Sequence, residues 1–288
     1  MTWTKPMFDA VSASDSALQR SHGEARLRFV ADANGQSRLA ERYASSPARL
    51  LTPRTHGEAP EAVLANTAGG IAGGDSLSVT VACGPSAEGV VSGQAAEKIY
   101  RALDAPAQMQ TTLRLDAAAT LEWLPQETIL FDGALLNRKI NIDLAADARL
   151  LMAETIVLGR KAHNETFASG RLTDSWRIDR AGQPVWRDRM LVKGGGDSLF
   201  TATGFRSARA LATMIYSAPD APAHIEYLQT EMANLPIFAG ATHVRGLLIA
   251  RMLGDDAGAL KSILADVIGA FRHRALGRPA TAPRVWLC

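Results

Sequence analysis

Apolar and polar residues alternate with a period of two along the first two thirds of the chain. In residues 77–83 four apolar side chains are separated by small or polar ones, and the same alternation recurs in residues 112–116 and 139–144. Successive side chains of a strand point to opposite faces, so this pattern is typical of strands with one buried face. We therefore expect strands from about residue 24 to residue 189.

Turn-forming residues separate these segments. Asn34-Gly35, Asp132-Gly133 and the stretch 83–85 are typical turn sequences, and residues 180–183 read as the tip of a hairpin. No helical pattern alternates with the strands, which argues against a doubly wound α/β sheet. The fold class predicted from the residues is therefore mostly β.

The last third of the chain contains the helical signals. Residues 223–234 predict a short helix and residues 257–276 predict the strongest one, with an apolar stripe at helical spacing. Asp255 or Asp256 can cap its start, and Gly277 with the following proline ends it. The intervening residues 242–253 predict one or two strands. We expect residues 1–22 to form a flexible arm and residues 23–288 to form one domain.

Composition excludes several classes of protein. The 288 residues carry Lys+Arg 31 against Asp+Glu 29, a formal net charge of +2, which does not favour a nucleic-acid binder. Two cysteines cannot build a disulfide framework or a four-cysteine zinc site. No apolar stretch is long enough for a signal peptide or a membrane span. We expect a cytoplasmic protein without nucleic-acid or membrane partners.

A glycine-rich loop is the most unusual segment. Gly69, Gly70, Gly73 and Gly74 precede Asp75, and four glycines suggest a tight path through positive φ. A phosphate-binding loop is disfavoured, because an acid replaces the required lysine and a strand follows where a helix is needed. The segment is either a tight turn where backbones pack closely or a loop that presents the carboxylate of Asp75 to a hard cation.

Other chemistry-bearing residues are dispersed. The six histidines show no spacing typical of a local transition-metal site, and no catalytic serine motif is present. Cys83 lies in a strand pattern and is expected in the core. Carboxylates at apparent strand ends allow two interpretations: each is solvated or pairs with an arginine such as Arg101, Arg138 or Arg160, or they supply oxygen ligands for a divalent cation.

Five segments, taken in order, resemble the UreD (UreH) family of urease accessory proteins. They are NTAGGIAGGDSL at 66–77, SGQAAEKIYR at 92–101, LEWLPQETILFDGA at 121–134, ETIVLGRKAHNETF at 154–167 and the ending PRVWLC. One departure is Asn164, which stands where the family usually has a glycine before Glu165. Asn tolerates left-handed backbone better than most residues, so the change is expected to be mild.

The resemblance implies a fold and a role. The fold would be a large, irregular β-helix-like or β-sandwich-like body with a small helical part near the C-terminus. The role would be a urease maturation chaperone rather than an enzyme. With a UreF homologue and the GTPase UreG, it would insert nickel into urease apoprotein, bridging to urease and conducting nickel through an internal tunnel. No cofactor would be permanently bound, and Ni²⁺ would pass transiently.

The resemblance also implies which residues form the nickel path and the loop beside it. It assigns the nickel path to the carboxylates of the matching motifs, and the glycines of residues 69–74 to the loop that holds Asp75. The candidates are Asp75, Glu97, Glu127, Glu154 and Glu165. Two alternatives remain open. One is a β-helical carbohydrate-active enzyme that uses Glu122 and Glu127 as acid and base, and the other is a metal-free interaction scaffold.

Overall fold

The computed structural model describes residues 19–55, 58–199 and 201–287. Most of the expected N-terminal arm and Cys288 lie outside these residues. Strands dominate, and the helices lie near the C-terminus. The strands are β1 His22–Ala31, β2 Ser37–Ser45, β3 Ala48–Leu51, β4 Glu61–Asn66, β5 Ser76–Cys83, β6 Glu88–Gly93, β7 Glu97–Ile99, β8 Ala107–Leu115, β9 Thr120–Leu124, β10 Thr128–Leu130, β11 Leu135–Leu144, β12 Arg149–Leu158, β13 Arg171–Arg180, β14 Gln183–Lys193, β15 Ala210–Ser217, β16 Phe238–Val244 and β17 Leu247–Gly254; the helices are α1 Ile225–Asn234 and α2 Ala257–Leu276.

The strands form two sheets that face each other. Sheet A has the order β14-β13-β11-β8-β5-β1-β2. Sheet B has the order β16-β17-β15-β12-β9-β6-β4-β3, and the short strands β7 and β10 pair beside β12. From β4 to β13 the longer strands alternate between the sheets, and their neighbours within each sheet are parallel. A strand of the opposite sheet thus serves as the crossover that parallel pairing requires.

This alternation gives β-solenoid-like stacking, with antiparallel hairpins added at the ends. The inward side chains of both sheets form the main core, which includes Phe29, Trp123 and Ile142. Helices α1 and α2 cover the outer face of one end of sheet B. Strand β12 is therefore buried on both faces, whereas strands of sheet A such as β8 alternate between buried and exposed residues.

The structure confirms the predicted elements closely. The long helix spans Ala257–Leu276, and the Oδ1 atom of Asp256 accepts a hydrogen bond from the backbone N–H of Ala259 at 2.9 Å. Gly277 ends it with φ +63°. The shorter helix begins at Ile225 rather than residue 223, because the preceding residues Ala221–His224 form a 3₁₀ turn. The predicted hairpin tip at 180–183 joins β13 to β14.

Candidate metal path between the sheets

The glycine loop connects β4 to β5, as its flanking patterns predicted. Positive φ occurs at two of its four glycines, Gly69 at +75° and Gly74 at +85°. Gly70 and Gly73 are needed for a different reason, since a Cβ at Gly70 would lie 2.7 Å from the carbonyl oxygen of Lys98. The predicted tight path through positive φ is therefore confirmed at Gly69 and Gly74, and close backbone approach is the constraint at Gly70 and Gly73.

Asp75 is tied to this loop by backbone hydrogen bonds. Its Oδ1 accepts from the N–H of Ser21 at 2.9 Å, and its Oδ2 accepts from the N–H of Ala72 at 2.9 Å. The bond from Ser21 ties the loop to the chain entering β1, and the bond from Ala72 closes the loop on itself. The carboxylate has a structural task here, and its predicted role as a nickel ligand stays a prediction.

Glu127 and Glu165 each have a basic neighbour. Glu127 lies 3.7 Å from the Nζ of Lys261 on α2. Glu165 accepts two hydrogen bonds from the guanidinium of Arg160, at 3.0 and 2.5 Å, and this pairing lowers the pKa of Glu165. The interpretation that strand-end acids pair with nearby basic groups is confirmed for Glu165, and Arg101 pairs in the same way with Asp132.

Glu97 and Glu154, by contrast, line a common cavity of about 180 Å³, here called the inner cavity. It lies between the sheets, and its lining includes Thr111 of β8 and Arg138 of β11. Gln94 is exposed and also belongs to the lining, so the cavity reaches the surface at that end. The structure therefore brings together two of the five predicted carboxylates.

A buried cluster of one arginine and two carboxylates closes the other end of the inner cavity. Arg138, Glu154 and Asp174 occupy inward positions of β11, β12 and β13, where the flanking inward residues are apolar. Arg138 and Asp174 are direct register partners in sheet A, so their side chains share a face. Sequence reasoning missed Asp174, although a charged residue in an inward apolar row was the available signal.

The cluster is fully hydrogen-bonded. Arg138 donates to both oxygens of Asp174 at 2.9 and 2.6 Å and to Oε2 of Glu154 at 2.7 Å. The indole N–H of Trp123 donates to Glu154 at 2.7 Å, and that of Trp176 donates to Asp174 at 2.9 Å. Arg138 and both carboxylates are less than a tenth exposed. Buried charged groups are tolerated only when they are paired and hydrogen-bonded, and the groups of this cluster are both.

Two carboxylates and one guanidinium give the cluster a net charge of −1 when all three groups are ionised. Burial raises the pKa of Glu154, although Arg138 opposes this rise. Burial would lower the pKa of Arg138, but Asp174 and Glu154 together raise it, so the arginine stays charged. A buried net negative charge is unfavourable. A proton on Glu154 would remove this net charge, and burial raises the pKa of Glu154 in that direction.

Glu97 has a related environment at the other side of the inner cavity. Burial raises the pKa of Glu97 to about 7, although the side chain of Asn66, which donates to Oε1 at 2.9 Å, opposes the rise. Near neutral pH this carboxyl can therefore hold or release a proton.

Beyond the cluster, the interior continues toward the β14 edge of sheet A. A small cavity of about 20 Å³, room for about one water molecule, is lined by Glu154 and Asp174 on one side and by Asp188 and Arg251 on the other. An open groove of about 760 Å³, here called the outer groove, follows between β14 and β16 and is also lined by Asp188 and Arg251.

The sheet registers explain why these polar groups line up. In sheet B, Glu154 pairs with Thr213, and Thr213 pairs with Arg251, so the three form one row across β12, β15 and β17. The facing row in sheet A holds Arg138 and Asp174. A polar row thus crosses the apolar interior from the inner cavity to the outer groove.

Glu122 and Glu127, the acid and base of the alternative carbohydrate-active enzyme, do not face a common open cleft. Glu122 is 1% exposed, lies beneath α2 and accepts a hydrogen bond from Arg272. Glu127 lies beside Lys261 of the same helix. General acid and base catalysis on a glycan requires both carboxyls to reach the substrate, so the structure gives that alternative no support.

No group of three or more His, Cys, Asp or Glu side chains in the described part of the chain is arranged to hold a metal ion. None of its helices is both long and apolar enough to cross a membrane.

Comparison with known proteins identifies the family. The family model described as UreD urease accessory protein matches residues 21–287. The chain belongs to the UreD family. Among curated relatives, the urease accessory protein UreD of Xanthobacter autotrophicus is 40% identical, covering 98% of this chain and 96% of the relative. The UreD proteins of Methylobacterium sp. (strain 4-46) and Granulibacter bethesdensis are 38% and 41% identical, covering 93% and 80% of this chain and 95% and 96% of those relatives.

Two UreD-like motifs have clear local explanations. Asn164 adopts φ +52° in the left-handed region, which Asn tolerates better than most residues. In the C-terminal motif, the indole N–H of Trp286 donates to the carbonyl oxygen of Leu124 at 2.9 Å. This bond fixes the chain end against β9, beside the inner cavity.

Proposed function

We propose that this chain is a urease maturation chaperone that conducts nickel toward urease apoprotein. It would bridge urease to a UreF homologue, which in turn binds the GTPase UreG, and GTP hydrolysis by UreG would drive nickel release. The chain itself would catalyse no reaction. Membership of a family of urease accessory proteins supports the general role, and it also supports a cytoplasmic site of action.

The observation that supports a path through this subunit is the carboxylate row between the sheets. Glu97 and Glu154 line the inner cavity, and Asp174 and Asp188 continue the row to the outer groove. A Ni²⁺ ion entering a low-dielectric interior needs negative or polar oxygen ligands at short intervals. These carboxylates offer such ligands without a cysteine or histidine cage.

The chemistry of the ligands suits transfer rather than storage. Carboxylate and carbonyl oxygens bind nickel more weakly than imidazole or thiolate do. The raised pKa of Glu97, about 7 because of burial, adds an exchange of protons for metal. A cation can therefore enter as a proton leaves and can be released again when the proton returns.

The first experiment tests whether urease activation depends on this chain. The chain would be co-expressed with UreF and UreG homologues and with urease from one bacterium that encodes all of them. We expect it to co-purify with the partners, and we expect its deletion to leave urease without nickel and without activity. Full activation in the deletion strain would exclude the chaperone role.

The path requires a second experiment that keeps the complex intact. The double variant Glu97→Gln and Glu154→Gln removes the carboxylate charges from the inner cavity with little change of shape. We expect co-purification to persist while nickel loading of urease falls. Unchanged loading would support a metal-free scaffold instead.

A further inference from the structure

The edge strand β14 leaves one side of its backbone without a strand partner. Among the described residues, β14 pairs only with β13 in sheet A, and β16 pairs only with β17 at the same end of sheet B. Five consecutive residues of β14, Asp188–Val192, line the outer groove. Because successive side chains of a strand point to opposite faces, a consecutive run at a groove means that the edge of the strand borders it. The unpaired N–H and C=O groups of such an edge are a template for another strand.

The outward side chains of this edge carry positive charge that no acid of the described residues neutralises. Arg189 and Lys193 are exposed and form no ion pair there, and Arg171 of β13, the register partner of Lys193, is unpaired in the same way. Arg187, the preceding outward residue of β14, is by contrast paired with Asp179. The edge therefore presents a cluster of uncompensated cations toward its C-terminal end.

An exposed apolar side chain lies between these cations. Leu191 is 51% exposed and lies two residues from both Arg189 and Lys193, so the three side chains point to the same face. The groove on the other face of the edge is lined largely by apolar side chains, namely those of Met190, Val192, Phe205, Leu211, Phe238 and Leu253. Exposed apolar surface rimmed by charged residues is typical of a binding surface.

We propose that the free edge of β14 binds an extended segment of an acidic protein partner, which adds to sheet A as a further strand. Strand addition to an exposed edge is a recurring mode of recognition, in which main-chain hydrogen bonds give affinity and alternate side chains give specificity. The segment that fits has acidic side chains on the face shared with Arg189 and Lys193 and apolar side chains toward the outer groove. Cross-strand Cβ atoms lie about 4.5–5.5 Å apart, so each acid can pair with a cation. The inference holds whether or not a metal crosses the interior.

Other occupants fit this edge less well. A second copy of the chain, paired through the same edge, would bring the cations of the two copies close together, and like charges across a strand pair are destabilising. Nucleic acids bind sheet faces by stacking their bases on aromatic side chains. The outward neighbours of the edge on β13 are instead Arg171, Thr173 and Ser175.

Two synthetic peptides test the proposal, one that alternates glutamate with valine and one that alternates lysine with valine. Binding of each labelled peptide to the full chain is measured by fluorescence anisotropy at low ionic strength, where exposed charges are least screened. We expect the glutamate peptide to bind about tenfold more tightly, because it pairs with cations that repel the lysine peptide. A glutamate peptide with N-methylated backbone amides should lose binding, because it cannot donate main-chain hydrogen bonds to β14.

Charge reversal at the edge should exchange this preference. In the double variant Arg189→Glu and Lys193→Glu, the lysine peptide should bind more tightly than the glutamate peptide, and binding of either kind shows that the variant is folded. The matched control is Arg114→Glu with Lys139→Glu, which reverses two exposed cations of β8 and β11 on the same face but away from the edge. This control should keep the wild-type preference.

Several results would overturn the proposal. Equal affinity of the wild type for both peptides, or no binding of either, would exclude an acidic segment at this edge. Undiminished binding of the N-methylated peptide would exclude strand addition. Polyuridine RNA or phosphatidylserine vesicles that bind while the glutamate peptide does not, and that the double variant fails to bind, would assign the cations to a nucleic acid or a membrane surface instead.

Discussion

Arg138 of sheet A donates a hydrogen bond of 2.7 Å to Glu154 of sheet B, and this contact joins the two sheets at the centre of the molecule. The same guanidinium holds Asp174 through two further hydrogen bonds. The cluster is both a structural link between the sheets and the barrier that divides the inner cavity from the small cavity.

Removing the arginine should destabilise the protein strongly. In Arg138→Met, Glu154 and Asp174 would remain buried beside each other without a cation, and breaking a buried ion pair in this way costs about 3–5 kcal/mol. Urea unfolding followed by circular dichroism measures the loss. The matched control is Arg177→Met, since Arg177 of β13 forms half-exposed ion pairs with Asp143 and Asp179, and a loss below about 1 kcal/mol is expected there.

A compensated variant keeps this prediction testable if the single variant fails to fold. Arg138→Met combined with Glu154→Gln and Asp174→Asn removes all three charges, so most of the lost stability should return. Equal destabilisation of the single and triple variants would mean that charge burial is not the cause.

Glu97 should make stability fall as pH rises. Burial raises its pKa from 4.5 to about 7, so between these values the folded chain holds a proton that the unfolded chain has lost. The free energy of unfolding therefore decreases across this window. Glu97→Gln cannot ionise and should gain up to about 3 kcal/mol over wild type between pH 5 and pH 8.

Urea unfolding of both proteins at pH 5 and pH 8 measures this gain. Glu41→Gln, at an exposed position of β2, is the matched control, and we expect its difference from wild type to stay constant. Parallel pH profiles for Glu97→Gln and wild type would contradict the raised pKa of the buried Glu97 carboxyl.

Gly70→Ala should destabilise the glycine loop. The added Cβ would lie 2.7 Å from the carbonyl oxygen of Lys98, which is backbone and cannot rotate away, and 2.6 Å from the ring of Tyr100. Overpacking of this kind costs about 1–3 kcal/mol. Gly240→Ala is the matched control, because nothing lies within 4 Å of a Cβ there. Thermal unfolding measures both, and equal melting temperatures would contradict the close approach.

The strands and helices could be predicted because their signals are local. Period-two alternation identified the strands, and the acid before residue 257 together with Gly277 fixed the ends of α2. The pairing of strands could not be predicted in this way, since alternation shows that one face is buried but not which strand lies beside it. The alternation of the chain between two sheets is a long-range property that only the structure shows.

The candidate site could be predicted only in part, because some of its residues lie in recognisable local motifs and the others are brought together by strand pairing. Glu97 and Glu154 were found through family-like motifs, and the structure places them on one cavity. Asp174, Asp188 and Arg251 were missed, because their significance depends on registers across three or four strands. Charged residues at inward positions of apolar rows are a local signal that applies to Asp174 and Arg138.

The measurement that tests the central claim most directly is the nickel content of urease activated in the presence of a chain whose inner cavity is filled. Thr111→Trp places a large side chain in that cavity, whereas Gln110→Trp places the same side chain on the exposed face of β8. Both variants would be compared in complexes shown to be intact by co-purification. We expect Thr111→Trp to lower nickel in urease to the level found without the chaperone, and Gln110→Trp to leave it unchanged. Full nickel loading with Thr111→Trp would contradict passage of the metal between the sheets.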